Sequence, residues 1–159
     1  MNIINSLTGM IDLIDNSSNK EEIANKIFFT EKILKKTFEN FHFYEIRTPA
    51  LEDTDLFKRS VGDTSDIVNK ELYSFQDKNE KSITLRPEGT ASVIRSIIEK
   101  KLDGDPQKLW YLGPMWRYER PQKGRYRQFN QAGVEILGYE EGMSELELIS
   151  MVCCINKEF

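Results

Sequence analysis

The stretch Leu109–Gly138, LWYLGPMWRYERPQKGRYRQFNQAGVEILG, constrains the fold more than any other part of the chain. Two arms of alternating apolar and polar residues flank Pro121 to Tyr126, which holds the turn-forming pair Lys123-Gly124. The pattern predicts a strand, a short loop and a second strand. Side chains alternate across a strand, so Met115, Arg117 and Glu119 share one face and Trp116 and Tyr118 the other. On the second arm Phe129, Gln131, Gly133 and Glu135 fall together, opposite the apolar row Ala132, Val134 and Ile136. Directly opposed residues of an antiparallel pair lie on the same side, so the odd-numbered residues of both arms form one floor. That floor offers an arginine, two carboxylates, an amide, an aromatic face and a glycine that permits close approach. It suits an anionic nucleotide and a small polar substrate. The loop adds Arg120, Lys123, Arg125 and Arg127, so that from Arg117 to Arg127 five positive residues face only Glu119. An exposed hairpin whose charges are merely solvated fits the same spacing.

The chain as a whole does not share this charge. A net charge of −4 and a pI near 5.2 exclude a surface that is basic throughout, so any nucleic-acid contact is local. With 159 residues, 39% of them apolar, the chain can hold one ordinary domain with a core. No apolar run approaches the roughly 20 residues of a membrane span. The N-terminus, MNIINSLTGMIDLIDNSSNKEE, has neither the basic start and apolar core of a secretory signal nor the arginine-rich, acid-poor character of a transit peptide. A cytoplasmic protein without membrane contact is expected. Cys153 and Cys154 are adjacent in an apolar run, which suits neither a disulfide framework nor spaced metal ligands. Buried thiols in a reducing compartment are the expectation.

Ser18 and Glu21 have capping-box spacing ahead of a helix expected over Lys20 to Phe41, where Ile23, Ile27, Leu34, Phe38 and Phe41 recur at three- and four-residue intervals. His42 to Ile46 reads as a strand stopped near Pro49, and the lone His42 as structural. Asp53 to Asp66 is mixed and polar, with Gly62-Asp63 as a turn signal. Glu71 to Phe75 and Ser82 to Leu85 flank a polar turn, which predicts a second hairpin. Its second strand runs through Arg86-Pro87-Glu88-Gly89-Thr90 into a helix carrying Val93, Ile94, Ile97, Ile98 and Leu102, with Thr90 the candidate N-cap. Glu88 and Thr90 at that corner can grip a substrate or simply cap the helix. A further apolar helical pattern covers Glu145 to Cys154.

Two of these stretches, TLRPEGT at Thr84 to Thr90 and GPMWRYERPQKGRYRQFNQAGVE at Gly113 to Glu135, resemble the class II aminoacyl-tRNA synthetases and specifically the histidyl-tRNA synthetase family. The second resembles motif 2 of the class, with Arg117-Tyr118-Glu119 in its core. IRTPALEDTDLF at Ile46 to Phe57 is similar to motif 1, and Gly9-Met10-Ile11-Asp12 to the family's opening G-x-x-D, without the proline usual shortly afterwards. The resemblance implies an α+β fold, an antiparallel sheet flanked by helices, and places residues 1–159 in the N-terminal part of the catalytic core. Nothing in the sequence matches motif 3, the second histidine-specific segment or the anticodon-binding domain. A truncated catalytic core with little activity on its own is therefore expected.

The resemblance also implies roles. ATP, with Mg2+, and histidine would give histidyl-adenylate, and the histidyl group would pass to tRNA(His). Arg117 would hold the α-phosphate as the catalytic residue; Glu119, Arg125 and Phe129 would bind the rest of ATP. Glu88, Thr90 and Gln131 would hold the α-ammonium of histidine and Glu135 its imidazole. Arg120, Gln122 and Lys123 would meet the tRNA acceptor end, while Arg127 would be structural. No residue is assigned to a metal. A homodimer is implied for the complete protein. Two other readings fit parts of the pattern: the non-catalytic paralogue that regulates ATP phosphoribosyltransferase, and a small nucleic-acid-binding module using only the basic hairpin.

Overall fold

In chain order the elements are α1 (Glu22–Asn40), β1 (Tyr44–Glu45), β2 (Leu51–Asp53), α2 (Thr54–Val61), β3 (Tyr73–Gln76), β4 (Ser82–Leu85), α3 (Thr90–Glu99), β5 (Gln107–Trp116), β6 (Gln128–Leu137) and α4 (Met143–Asn156). They belong to a computed structural model that describes residues 3–14, 22–62, 71–120 and 122–159. The Ser18–Glu21 capping box, Asp63 of the predicted turn and Pro121 of the loop lie outside the described residues. The long alternating arms are β5 and β6, neighbours in a sheet of order β1-β5-β6; a second sheet has the order β2-β4-β3. No helix among the described residues is long and apolar enough to cross a membrane. The chain divides into two compact units, one of Met1–Asp12, Arg47–Lys100 and Gly113–Gln131, the other of Leu13–Ile46, Lys101–Leu112 and Ala132–Phe159.

In the first unit β4 is the central strand, antiparallel to both neighbours, with Leu85 opposite Leu51 on one side and Tyr73 on the other. The predicted hairpin turn is built on Asp77, whose carboxylate accepts the N–H groups of Asn79 and Lys81 at 2.8 and 2.9 Å. The buried hydroxyl of Thr84 bonds to the hydroxyls of Thr54 and Ser74, each at 2.7 Å, so this polar group inside the layer is satisfied. Phe57, Val93, Met115 and Ile97 are buried. Glu52, only 8% exposed, is neutralised by Arg95 of α3 at 2.7 Å. Ile98 is 61% exposed, and Leu102 lies beyond the end of α3, which is shorter than the apolar pattern predicts. The buried face runs through Val93 and Ile97 with the small Ala91, Ser92 and Ser96 around them.

The polar stretch after Pro49 hides β2 and α2, which the periodicity does not reveal because neither is long enough to repeat. The signal is Asp53, an N-cap whose side chain accepts from the N–H of Asp55, ahead of an acidic first turn and a basic last turn. That hydrogen bond, and then Lys81, hold the Asp53 carboxyl below its ordinary pKa. A lowered carboxylate pKa stabilises the fold above the unfolded value and ceases to do so as pH falls through the folded one. Asp53→Ala is therefore expected to cost about 1 kcal/mol at neutral pH. In urea titrations the difference from the parent should shrink as the pH falls through the lowered Asp53 value; a constant difference would exclude the ionised cap as its source.

In the second unit Phe38, Phe43, Trp110 and Met151 form the core, joined by Leu112, Ala132, Val134 and Ile136 of the predicted apolar row. Phe38 and Trp110 pack with ring centroids 5.5 Å apart. β1 runs parallel to β5 with Tyr44 opposite Leu109. His42 is not in a strand: it has φ +61, its N–H donates to Glu39 O, and Phe43 N–H donates to Phe38 O. That bond pair closes α1, with histidine in the left-handed position usually filled by glycine or asparagine. Lys108 is held by Phe41 O at 2.8 Å, by Glu147 of α4 and over the Phe43 ring. Cys153 and Cys154 are exposed, contrary to the expected burial, because α4 turns Leu148, Met151 and Ile155 toward the core and the thiols away from it.

Candidate functional site

Arg117 follows β5 directly, and its Nε donates to Pro87 O at 2.9 Å, tying the arginine to the β4–α3 corner. Its guanidinium carbon stands 5.1 Å from the centroid of the Phe129 ring, so Arg117 and Phe129 share a face as the alternation predicts. Glu119 lies 4.0 Å from Arg117 Nη1 and 3.4 Å from Arg125 Nη1. The carboxylate, with 17% side-chain exposure, is clasped between two cations, whereas Arg125 at 64% is open to solvent. One arginine is anchored and the other is free to change partner. At the loop tip Gln122 and Arg125 exchange two backbone hydrogen bonds around Lys123-Gly124. Arg120, Gln122 and Lys123 are exposed.

Thr90 is not the N-cap of α3. The cap position is Gly89, and the Glu88 carboxylate accepts the N–H groups of Thr90 and Ala91 at 2.6 and 3.0 Å. A carboxylate reaches two of the orphan donors of the first turn, which a threonine inside that turn cannot. Glu88 and Thr90 open on a cavity of about 670 Å³ that is also lined by Leu56, Ile94, Ile98 and Arg95. Arg117, Glu119, Arg125, Phe129 and Gln131 are not among its lining residues.

Two residues beyond Phe129, the Gln131 side-chain oxygen is buried and has no hydrogen-bond partner among the described residues. A buried acceptor without a donor costs roughly 1–3 kcal/mol, and a bound donor would remove that cost. Glu135 is half-buried on β6 and carries an interaction of its own. The close approach predicted at Gly133 is taken by the protein itself: a Cβ there would lie 2.3 Å from Cζ and Oη of Tyr111. The glycine serves Tyr111 packing, not an open floor.

Sequence reasoning gave Arg86 no role. Its Nη1 donates to both the carbonyl and the hydroxyl of Thr48 at 2.8 and 2.9 Å, and its Nε to Pro114 O at 3.2 Å. It thereby fixes the corner on which Pro87 and Glu88 sit. Its place inside TLRPEGT was the available signal.

The arginine-clasped carboxylate and the orphan amide lie in a sequence that can be compared directly with known families. The profile described as "Histidyl-tRNA synthetase" matches residues 19–157. The chain belongs to the histidyl-tRNA synthetase family. It is 54% identical over 134 residues to a histidine–tRNA ligase of Staphylococcus carnosus, covering 82% of this chain and 31% of that protein. It is 57% identical over 124 residues to one of Desulfitobacterium hafniense, covering 77% and 29%. The chain thus spans about a third of the length of these curated relatives. The crystal structure of the apo histidyl-tRNA synthetase of Staphylococcus aureus superposes with a TM-score of 0.78 at 40% identity, over 99% of this chain and 35% of that one. A Bacillus halodurans structure described as an ATP phosphoribosyltransferase regulatory subunit/histidyl-tRNA synthetase gives 0.76 at 22% identity, over 98% and 38%, which shows a shared fold alone. The family carries the expected α+β class with it.

Proposed function

We propose that these residues form the amino-acid-activation surface of a histidine–tRNA ligase that joins histidine to tRNA(His) through histidyl-adenylate. What supports the reading most is the anchored Arg117 beside the Phe129 ring and the clasped Glu119. Arg117 offers its remaining N–H groups to the α-phosphate of ATP and stabilises the charge that grows there; a planar fork serves this better than an ammonium. Phe129 takes the adenine ring, Glu119 accepts from its amino group, and Arg125 leaves Glu119 for the γ-phosphate. Glu88, Thr90 and Gln131 hold the α-ammonium of histidine, which supplies the donor that the Gln131 oxygen lacks. Glu135 accepts from the imidazole. A carboxylate oxygen of histidine then attacks the α-phosphorus and the bond to pyrophosphate breaks. The attacking group is already ionised, so alignment carries the step and no general base is needed. The histidyl group passes to a terminal ribose hydroxyl of the tRNA, whose acceptor end meets Arg120, Gln122 and Lys123.

Among the described residues no group of three or more His, Cys, Asp or Glu could hold a metal ion. The Mg2+ implied by the family fits as a phosphate-bound ion, which needs few protein ligands and neutralises phosphate charge. A homodimer formed through the Ile46–Phe57 region, cytoplasmic placement and the absence of membrane contact belong to the same proposal.

Calorimetric titration of the protein with histidine, Mg2+–ATP and tRNA tests the reading. Both small ligands are expected to bind, with Glu88→Ala abolishing the histidine signal and leaving RNA affinity within about twofold, since that affinity comes from the loop cations. Histidine affinity untouched by Glu88→Ala would overturn the assignment. Histidine binding without ATP binding would favour a regulator of ATP phosphoribosyltransferase instead.

A further inference from the structure

The opening Gly9-Met10-Ile11-Asp12 has no part in the chemistry above, yet it touches the base of the arginine loop. The N–H of Met10 donates to Leu7 O at 3.0 Å, closing a tight turn in which Gly9 has φ +79. The Gly9 carbonyl accepts two hydrogen bonds, from Arg127 N–H at 2.7 Å and Gln128 N–H at 3.2 Å. Those residues are where the loop becomes β6, immediately before Phe129. Arg127 passes the constraint on: its carbonyl accepts from Arg117 N–H at 2.9 Å and its Nε donates to Glu119 O at 3.1 Å. Its guanidinium carbon also lies 4.1 Å from the centroid of the Tyr118 ring.

We infer that the Leu7–Met10 turn is a positioning element for the arginine loop, its Gly9 carbonyl fixing the register in which Arg117, Glu119 and Phe129 meet ATP. The inference rests on the proposed ATP site. A side chain at residue 9 is disfavoured twice. The backbone is left-handed, and a Cβ would stand 3.0 Å from Arg127 Cγ and 3.1 Å from its backbone nitrogen, so the start of β6 must shift to admit it. The turn is held by its backbone and not by apolar burial, since Leu7 is 71% exposed and Ile3 and Ile4 are 86% and 96% exposed. Disturbing it therefore loosens the loop without opening the core.

The test compares the parent chain with Gly9→Ala and with a chain lacking residues 1–12. Arg127 and Gln128 amides are expected to exchange with deuterium about tenfold faster or more in both variants, because their shared acceptor is lost or moved. The amides of Val93 and Ile97 in α3 should keep their rates, which distinguishes loop release from unfolding. The Mg2+–ATP dissociation constant should rise about tenfold or more, as small misplacements of aligned groups do. Histidine affinity should fall less than ATP affinity, because Glu88 and Thr90 do not depend on the Gly9 contact and only Gln131 lies on the strand it steadies. If the alanine variant fails to fold, the truncated chain answers, since it removes the acceptor without adding a clash. Unchanged exchange at Arg127 and Gln128 together with unchanged ATP affinity would overturn the inference. A parent chain that does not bind Mg2+–ATP overturns the proposed function, and the exchange contrast then decides the positioning by itself.

Discussion

Arg117→Lys is expected to lower histidine-dependent ATP–pyrophosphate exchange by about 10²- to 10³-fold, measured in the polypeptide of the full reading frame that carries these residues. Charge is conserved in this substitution, so the loss isolates geometry. The arginine uses Nε to hold Pro87 O at 2.9 Å, and on the proposed mechanism the outer nitrogens of its fork meet phosphate oxygens. A lysine has one head and must choose between the corner and the nucleotide. On the proposed mechanism the contact strengthens as charge grows on the α-phosphoryl group, so kcat should fall more than ATP KM rises. A merely structural arginine would instead lower thermal stability and leave the kinetic ratio unchanged. Exchange within tenfold of the parent would mean that positive charge alone suffices, and the fork would lose its role.

The parts of the fold that repeat were legible, and those too short to repeat were not. The hairpin of β5 and β6, placed within two residues at its start, announces itself through a period of two on both sides of Lys123-Gly124. The nineteen residues of α1 allow several helical turns of apolar recurrence. β2, with three residues, and α2, with eight, offer no period; only the Asp53 cap marks them. His42 misled because aromatic and branched neighbours favour a strand, while the helix-ending bonds of Phe43 and His42 decide the backbone there. In the hairpin, Arg117, Glu119 and Phe129 are close in sequence and could be grouped from alternation, while Arg125 joined them through the family resemblance. Contacts made across the chain could not: Arg86 with Thr48 and Pro114, and Gly9 with Arg127, have no local signature. Exposed Cys153 and Cys154 show the same limit in another form, since an apolar run on a helix has an outer face as well as an inner one.

Gly133 joins the two kinds of information, because a glycine in a strand signals a close approach without naming what approaches. Here it is the Tyr111 ring, itself only 7% exposed. Gly133→Ala should favour the strand through backbone propensity, yet its Cβ would stand 2.3 Å from Tyr111 Cζ and 2.7 Å from Cε1. A buried ring cannot yield by bending; it must rotate out of its seat or push the strand away. Overpacking of this kind costs about 1–3 kcal/mol, and it should exceed the propensity gain. Urea unfolding of the single and paired substitutions separates the terms. In a Tyr111→Ala background the clash is gone, and Gly133→Ala should become neutral or mildly stabilising. In a Tyr111→Phe background only the hydroxyl is removed, Cζ keeps its place, and most of the cost should remain. Equal cost in all three backgrounds would show that Tyr111 is not what requires a glycine at this position.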